Sequence, residues 1–242
     1  MKQDSVKRAA LDAALFRLQL DFDDRTKDKL IKHLDLVIEK NKVLNLTRIT
    51  SVEDAMVLHI EDSLSIYKLF SQYPGEFLDI GTGAGFPGLP IAITTGRKGM
   101  LLDSVKKKAT AVREFASCLG LDSQITVVGQ RSEELAKCKP NSFGIVLARA
   151  VSSLPAVEEL ATPLLMNKGV LIVMRGKDSA EDIELGIKAA DLFGLKLINR
   201  EVFNIGENNE YSRSVCIFQK VHKSKIKLPR QSGFASKKPL VI

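Results

Sequence analysis

The chain has no run of 18 apolar residues, and its opening, MKQDSVKRAALDAALF, lacks the uninterrupted apolar core of a secretory signal. Neither a membrane span nor export is expected, and the cytoplasm is the predicted compartment. Cysteine is scarce: Cys118, Cys138 and Cys216 stand far apart, forming neither a CxxC knuckle nor an even-numbered disulfide framework. Reduced thiols are expected, and none has the Pro-Cys context of enzymes that attack pyrimidine C6 covalently. Histidine is equally sparse, and only His59-x-x-Asp62 puts two possible metal ligands on one helix face. Two ligands do not make a zinc site, so no metal is expected. Glycine and proline form no low-complexity tract that would keep the chain disordered.

What is present suits a packed α/β domain with an appendage: 242 residues, 45% hydrophobic and 27% charged. The net charge of +7 is unevenly placed. From Tyr211 to Ile242 there are eight basic residues and no acidic one, and without them 28 basic residues face 29 acidic ones. Such a segment either pairs with phosphates or serves as a solvated tail.

The first seventy residues read as helical. Asp24 is a candidate cap for a helix in which Leu30, Ile31, Leu34, Val37 and Ile38 recur at helical spacing, and Met56, Leu64, Tyr67 and Phe70 repeat the pattern. Tyr73-Pro74-Gly75 ends this cap. Short apolar strands follow at 77–80, 100–103, 125–128, 143–148 and 170–174, separated by candidate helices at 104–119, 131–137, 153–166 and 179–193. Two last strands, 195–203 and 213–219, are joined by Gly206-Glu207-Asn208-Asn209, a loop with hairpin chemistry, so this pair is predicted to be antiparallel. The order implies a Rossmann-like, mainly parallel seven-stranded sheet. The predicted organisation is a helical cap (1–73), a core (74–222) and a basic extension (223–242).

The strongest local signal is Phe77-Leu78-Asp79-Ile80-Gly81-Thr82-Gly83-Ala84-Gly85-Phe86-Pro87-Gly88. Gly81, Gly83 and Gly85 let the backbone turn sharply after the strand and approach a ligand, and Pro87 suits the first turn of the next helix. Gly83, Gly85 and Gly88 also satisfy the dinucleotide fingerprint GxGxxG. Counted from Gly81, which directly follows the strand, bulky Phe86 falls where that fingerprint needs its third glycine. Asp103, at the end of the second strand, is placed to accept both hydroxyls of a ribose, as either adenosylmethionine or NAD requires, or else to cap the next helix together with Ser104. Ser132 and Glu133 lie where a loop could contact adenine, or simply begin a surface helix. Arg175 and Lys177, after the fifth strand, are candidates for phosphate contacts together with Lys223, Lys225, Lys227 and Arg230.

These motifs resemble the bacterial small-subunit rRNA guanine-N7 methyltransferase family, historically named glucose-inhibited division protein B. The resemblance rests on Asn45-Leu46-Thr47, His59-Ile60-Glu61-Asp62-Ser63, the stretch from Asp79 to Gly88, Leu102-Asp103-Ser104, Arg131-Ser132-Glu133-Glu134, Ala148-Arg149-Ala150 and Lys237-Lys238-Pro239-Leu240. It runs from about Asn41 onward. It implies S-adenosyl-L-methionine as methyl donor, held by Gly81, Phe86, Ser132, Glu133 and Arg149 with Asp103 as a ribose ligand, and guanine N7 in the decoding-region loop of 16S rRNA as acceptor. His59, Asp62 and Ser63 would build the site from the cap, with Arg149 shaping the cofactor and base pocket or else anchoring the helix that follows it. A monomer acting on 16S rRNA or the small ribosomal subunit is the implied state. A small-molecule methyltransferase, a non-catalytic adenosylmethionine-binding assembly factor and an NAD-dependent dehydrogenase are the competing readings. The dehydrogenase would need a proton-relay residue and a substrate domain that the sequence does not offer.

Overall fold

The computed structural model describes residues 2–49, 51–177, 179–238 and 240, with only the backbone described for residues 2–4. Pro239, part of the family-like C-terminal stretch, lies outside them.

Helices α1 (Lys2–Leu18) and α2 (Asp24–Asn41) form the N-terminal cap. Asp23, not Asp24, caps α2: its Oδ1 accepts from Thr26 N at 2.8 Å, the capping geometry that satisfies an orphan amide of the first turn. Leu30, Leu34 and Val37 are fully buried on one face of α2, as their spacing predicted, and His33 shares that face. A helical run over 52–64 follows, made of α3 (Val52–Ala55), a π-helical turn (Met56–Glu61) and α4 (Asp62–Leu64). Helix α5 (Tyr67–Ser71) leads to the sheet.

The strands are β1 (Phe77–Ile80), β2 (Gly99–Leu102), β3 (Ile125–Val128), β4 (Phe143–Arg149), β5 (Leu165–Arg175), β6 (Leu195–Ile205) and β7 (Tyr211–Lys220). Between them lie α6 (Gly88–Thr95), α7 (Lys106–Cys118), α8 (Ser132–Cys138), α9 (Leu154–Ala161) and α10 (Ala180–Phe193), and a short α11 (Phe234–Lys237) comes last. The sheet order is β3-β2-β1-β4-β5-β7-β6, parallel from β3 to β5, with β7 antiparallel to both neighbours. Residues alternate between two cores. Phe77, Ile145 and Leu147 face the cap, α6 and α7, while Leu78, Val146 and Ala148 face α9 and α10. Burial on both faces explains why these strands read as continuous apolar runs.

Several boundaries differ from the sequence reading by one or more residues, and two of the shifts bear on the site. The helix predicted over 153–166 stops at Ala161, because Pro163 brings no amide to continue the hydrogen-bond ladder. The freed residues let β5 start at Leu165. Strand β2 begins one residue early, at Gly99, and ends at Leu102, so Asp103 is the first residue after it, with its N–H still donating to Val128 O at 3.2 Å.

The basic C-terminal segment is largely committed within the fold. Lys220 Nζ donates to Asn141 Oδ1, Thr162 O and Leu165 O at 2.7–2.8 Å, which uses all three of its donors. Beyond β7 the chain turns back as a strap, with Ile226 and Leu228 packed against the α9/α10 core. Arg230 pairs with Glu159 of α9.

Candidate active site

Strands β1 and β4 are neighbours, yet the chain between them visits β2 and β3 on the far side of β1. At such a switch point the loops leaving the two strands diverge and open a crevice beyond their carboxyl ends, where ligands of open α/β sheets bind. Gly81 follows β1 there, and Arg149 ends β4.

The glycine loop is held from below by Asp79. This fully buried side chain accepts Gly88 N at 3.0 Å through Oδ2, while its Oδ1 and the Thr82 hydroxyl have no hydrogen-bond partner. Burial pushes the Asp79 carboxyl up to about 7, against the opposing pull of the Gly88 amide and Arg149. Asp79 thus faces the loop's underside and α6. Pro87 occupies the N-cap position of α6, one place earlier than predicted. A carboxyl whose folded pKa exceeds its unfolded value, 3.8, contributes stability that is full below that value and is lost as pH rises through about 7. Asp79→Asn, which cannot ionise, is therefore expected to gain thermal stability relative to the wild type between about pH 5 and about pH 8. Melting temperatures of both proteins at the two pH values would show a constant difference if Asp79 does not titrate there.

Asp103 braces the loop from the side. Its Oδ2 accepts Gly83 N at 3.0 Å and its Oδ1 accepts Val105 N at 2.8 Å. The cap of α7 is Val105, so Asp103 holds the turn before the helix instead of capping it. Each carboxylate oxygen keeps a second lone pair, which fits a ribose diol.

The cap closes the opposite wall. Asp62, with 6% of its side chain exposed, accepts from Arg149 Nη1 at 2.9 Å and from Arg213 Nε of β7 at 2.7 Å. Arg149 Nη1 also donates to Leu58 O at 2.8 Å, so this arginine anchors the cap, not the helix after β4. Its Nη2 lies 3.4 Å from His59 Nδ1. The His59 Nε2 atom lies 3.0 Å from the Thr47 hydroxyl, so a neutral ring that accepts at Nδ1 donates at Nε2. Burial, with Arg149 and His33 nearby, pushes His59 down to about 3. His59 stacks on Phe86 with centroids 4.4 Å apart and planes 5° apart, and His33 packs on the same phenyl ring at 4.4 Å. His33 Nε2 lies 3.1 Å from Ala84 O, which fixes its proton there, and burial holds its pKa down at about 4. The His59-x-x-Asp62 spacing therefore serves a stack and an arginine clamp rather than a metal.

The π-helical turn carrying His59 is itself tied down. Glu61, 1% exposed, receives Arg17 of α1 at 2.9 and 2.6 Å, and Gly206 N at the β6–β7 hairpin lies 3.4 Å from its Oε1. Ser63, predicted near the site, is fully buried and donates to His59 O at 2.5 Å, so it supports the turn without facing the cleft.

A cavity of about 430 Å³ is bounded by Thr47, His59, Asp62, Gly81, Gly83, Phe86, Arg149, Arg175 and Arg213. Arg175 donates to Ser152 O at 3.3 Å, and Lys177 is exposed beyond it. A narrower cavity of about 170 Å³ shares Gly81 and continues past Ser104, Ser132 and Glu133. Gly85 lies under the loop, where an added Cβ would sit 2.7 Å from Leu89 and 3.1 Å from His33 Nε2.

Glu133 lines the smaller cavity, and its Oε1 also receives Gly233 N of the C-terminal strap at 2.6 Å. Arg230 is bound to Glu159 through Nε and Nη2 at 2.8 and 2.5 Å. Lys223, Lys225 and Lys227 follow the end of β7 that pairs with the start of β5, which puts them at the opposite end of the sheet from the glycine loop, and Lys225 pairs with Asp191. Sequence reasoning missed Arg213, Thr47 and His33 as site components. Thr47 stood in a quoted motif, whereas Arg213 reads as one more basic residue and His33 as a core position.

Comparison with known proteins agrees with this arrangement. A family model described as rRNA small subunit methyltransferase G matches residues 26–233. A Clostridium tetani protein named ribosomal RNA small subunit methyltransferase G is 34% identical, over 95% of this chain and 97% of its own length. One of the same name from Deinococcus radiodurans is 36% identical over 88% and 85%. Among solved structures, a putative RNA methyltransferase from Pyrococcus horikoshii aligns with a TM-score of 0.54 at 13% identity, covering 79% of this chain and all of its own. A putative sarcosine dimethylglycine methyltransferase from Galdieria sulphuraria gives 0.56 at 14%, over 72% and 89%. At such identities these two support the fold alone, the class I methyltransferase sheet. The sequence matches go further: the chain belongs to the GidB family, rRNA small subunit methyltransferase G, and is an S-adenosyl-L-methionine-dependent rRNA methyltransferase.

Proposed function

We propose that this protein methylates N7 of a guanine in the decoding-region loop of 16S rRNA, acting as a cytoplasmic monomer. The observation that carries the choice of atom is the lack of an unengaged base among the described residues around the larger cavity. Asp62 is clamped by two arginines, and His59 is neutral and bonded at both nitrogens. Such a site suits an acceptor that is nucleophilic as it stands. Guanine N7 has an in-plane lone pair and no proton to lose.

The donor supplies an electrophilic sulfonium methyl group. Gly81, Gly83 and Phe86 bound the cavity on its loop side, and Asp103 has lone pairs for the ribose, with Ser132 near the adenosine end. His59 and Arg149 hold Phe86 and the cap so that donor and base meet at about 3–3.5 Å, and proximity then lowers the barrier. The N7–methyl bond forms as the sulfur–methyl bond breaks, moving positive charge from sulfur to the purine. The Asp62 carboxylate, close to both arginines, keeps the local charge from opposing that shift. Arg175 at the cavity wall, with exposed Arg48 and Lys177, offers phosphate contacts at the mouth. This cationic rim favours RNA over a small-molecule acceptor.

The test is transfer from labelled S-adenosylmethionine to small subunits and to naked 16S rRNA from a strain lacking the protein, with the modified base mapped. Label at guanine N7 in the decoding-region loop is the expected result, and label at any other atom overturns the proposal. Asp103→Ala removes the loop brace together with the ribose acceptor. It is expected to weaken cofactor binding at least tenfold, about 1.4 kcal/mol, by calorimetry.

A further inference from the structure

The strap after β7 turns back over the adenosine end of the cleft. The smaller cavity of about 170 Å³ is lined by the apolar Leu102, Val151 and Leu160 and by the polar Gln130 and Ser132. Its outer boundary comes from far along the chain, from Gly233 and Ser236 of the strap. A slot whose lining mixes these apolar side chains with hydrogen-bonding groups matches the chemistry of a purine base.

The strap's fastenings sit beside the slot's own walls. Ser132 lines the slot, and the next residue, Glu133, receives Gly233 N at 2.6 Å. Leu160 lines it too, and the preceding residue, Glu159, is held by Arg230 through bonds of 2.8 and 2.5 Å. Glu159 is 3% exposed, so the pair is desolvated on the acid side and its geometry is bidentate. Arg230 Nη2 also donates to Lys238 O at 3.0 Å, closing the strap on itself around Ala235, which is buried. Two acids on adjacent helices therefore fix one segment across both sides of one slot.

We propose that residues 229–238 are the outer wall of the adenine site, with Ser236 and the Gly233 backbone facing the purine edge and the Arg230–Glu159 pair acting as the latch. This rests on the reading that the adenosine end of the cofactor lies between Asp103 and Ser132. The strap is thereby a cofactor-binding element, and its Arg230 serves the latch. Arg230 is a positioning residue in this arrangement.

The test compares the full-length wild type with Arg230→Ala, Arg230→Lys and Ser236→Trp. Calorimetry would give the Kd for S-adenosylhomocysteine, and filter binding the Kd for a 16S rRNA fragment. Arg230→Ala is expected to raise the cofactor Kd about tenfold while leaving RNA affinity within about twofold, with Arg230→Lys intermediate. Ser236 is exposed, so Ser236→Trp should fold normally and block the slot, raising the cofactor Kd with an unchanged melting temperature. Amides of 229–238 should also exchange more slowly when S-adenosylhomocysteine is added. Unchanged cofactor affinity in both Arg230→Ala and Ser236→Trp overturns the proposal, as does a loss confined to RNA. If Asp103→Ala also leaves cofactor affinity untouched, the placement of the adenosine has failed; if Asp103→Ala weakens it and the strap variants do not, only the strap has.

Discussion

Asp62→Ala is expected to lower methyl transfer at least a hundredfold and to destabilise the protein by about 3–5 kcal/mol, the range for breaking a buried ion pair from one side. The carboxylate is 6% exposed, and the guanidiniums it joins, 18% for Arg149 and 16% for Arg213, come from β4 and β7. Without it, two cations share the cavity wall uncompensated, and the cap loses its two ion pairs to the sheet. Arg149 would keep its bond to Leu58 O, so the cap loosens without detaching. Asp62→Asn separates charge from shape: the amide oxygen can still accept from one arginine, so stability should recover more than activity. Turnover on small subunits and thermal melting of both variants check this. A variant with wild-type melting and near-wild-type turnover would remove Asp62 from the account.

The second large effect is expected at Gly88, and its cause is space. A Cβ there would lie 2.2 Å from Leu101 Cδ2 and 2.7 Å from Asp79 Oδ2, both on strands inside the sheet. Neither can retreat without disturbing the β1–β2 pairing or the bond from Gly88 N to Asp79. Gly88→Ala should therefore cost about 3 kcal/mol or more, the upper part of the range for overpacking a core. It should also weaken cofactor binding by shifting the loop that begins α6. Gly176→Ala is the matched control, since an added Cβ there meets nothing within 4 Å. Urea unfolding of the two variants should show a lowered midpoint for Gly88→Ala alone, and equal midpoints would mean that the loop has slack which these distances deny.

The sheet was legible because its signals are local. Strands β1 and β3 begin and end where their apolar runs do, and Gly206–Asn209 supplies the hairpin. The loop and Asp103 were legible for the same reason, since both follow strands at the switch point. What stayed hidden depends on pairings across long stretches of chain. Arg213 meets Asp62 151 residues away, Gly233 meets Glu133 100 away, and Arg230 meets Glu159 71 away. Composition counted Arg213, Lys220 and Arg230 as surplus positive charge, although each has a buried acid or carbonyl waiting for it. The π-helical turn was hidden differently: one added residue per turn leaves the apolar pattern of 56–64 intact while changing which residues point at the cleft.

The bond between Arg17 and Glu61 bears on how relatives should be compared. The recognisable family span begins at residue 26, so position 17 falls outside it, and drift there would look neutral in any comparison of that span. Yet the Arg17 guanidinium balances a carboxylate in the turn that carries His59 and adjoins Asp62. Lineages that replace one member of this pair are expected to replace the other, so positions 17 and 61 should vary together across the boundary at which the family model begins.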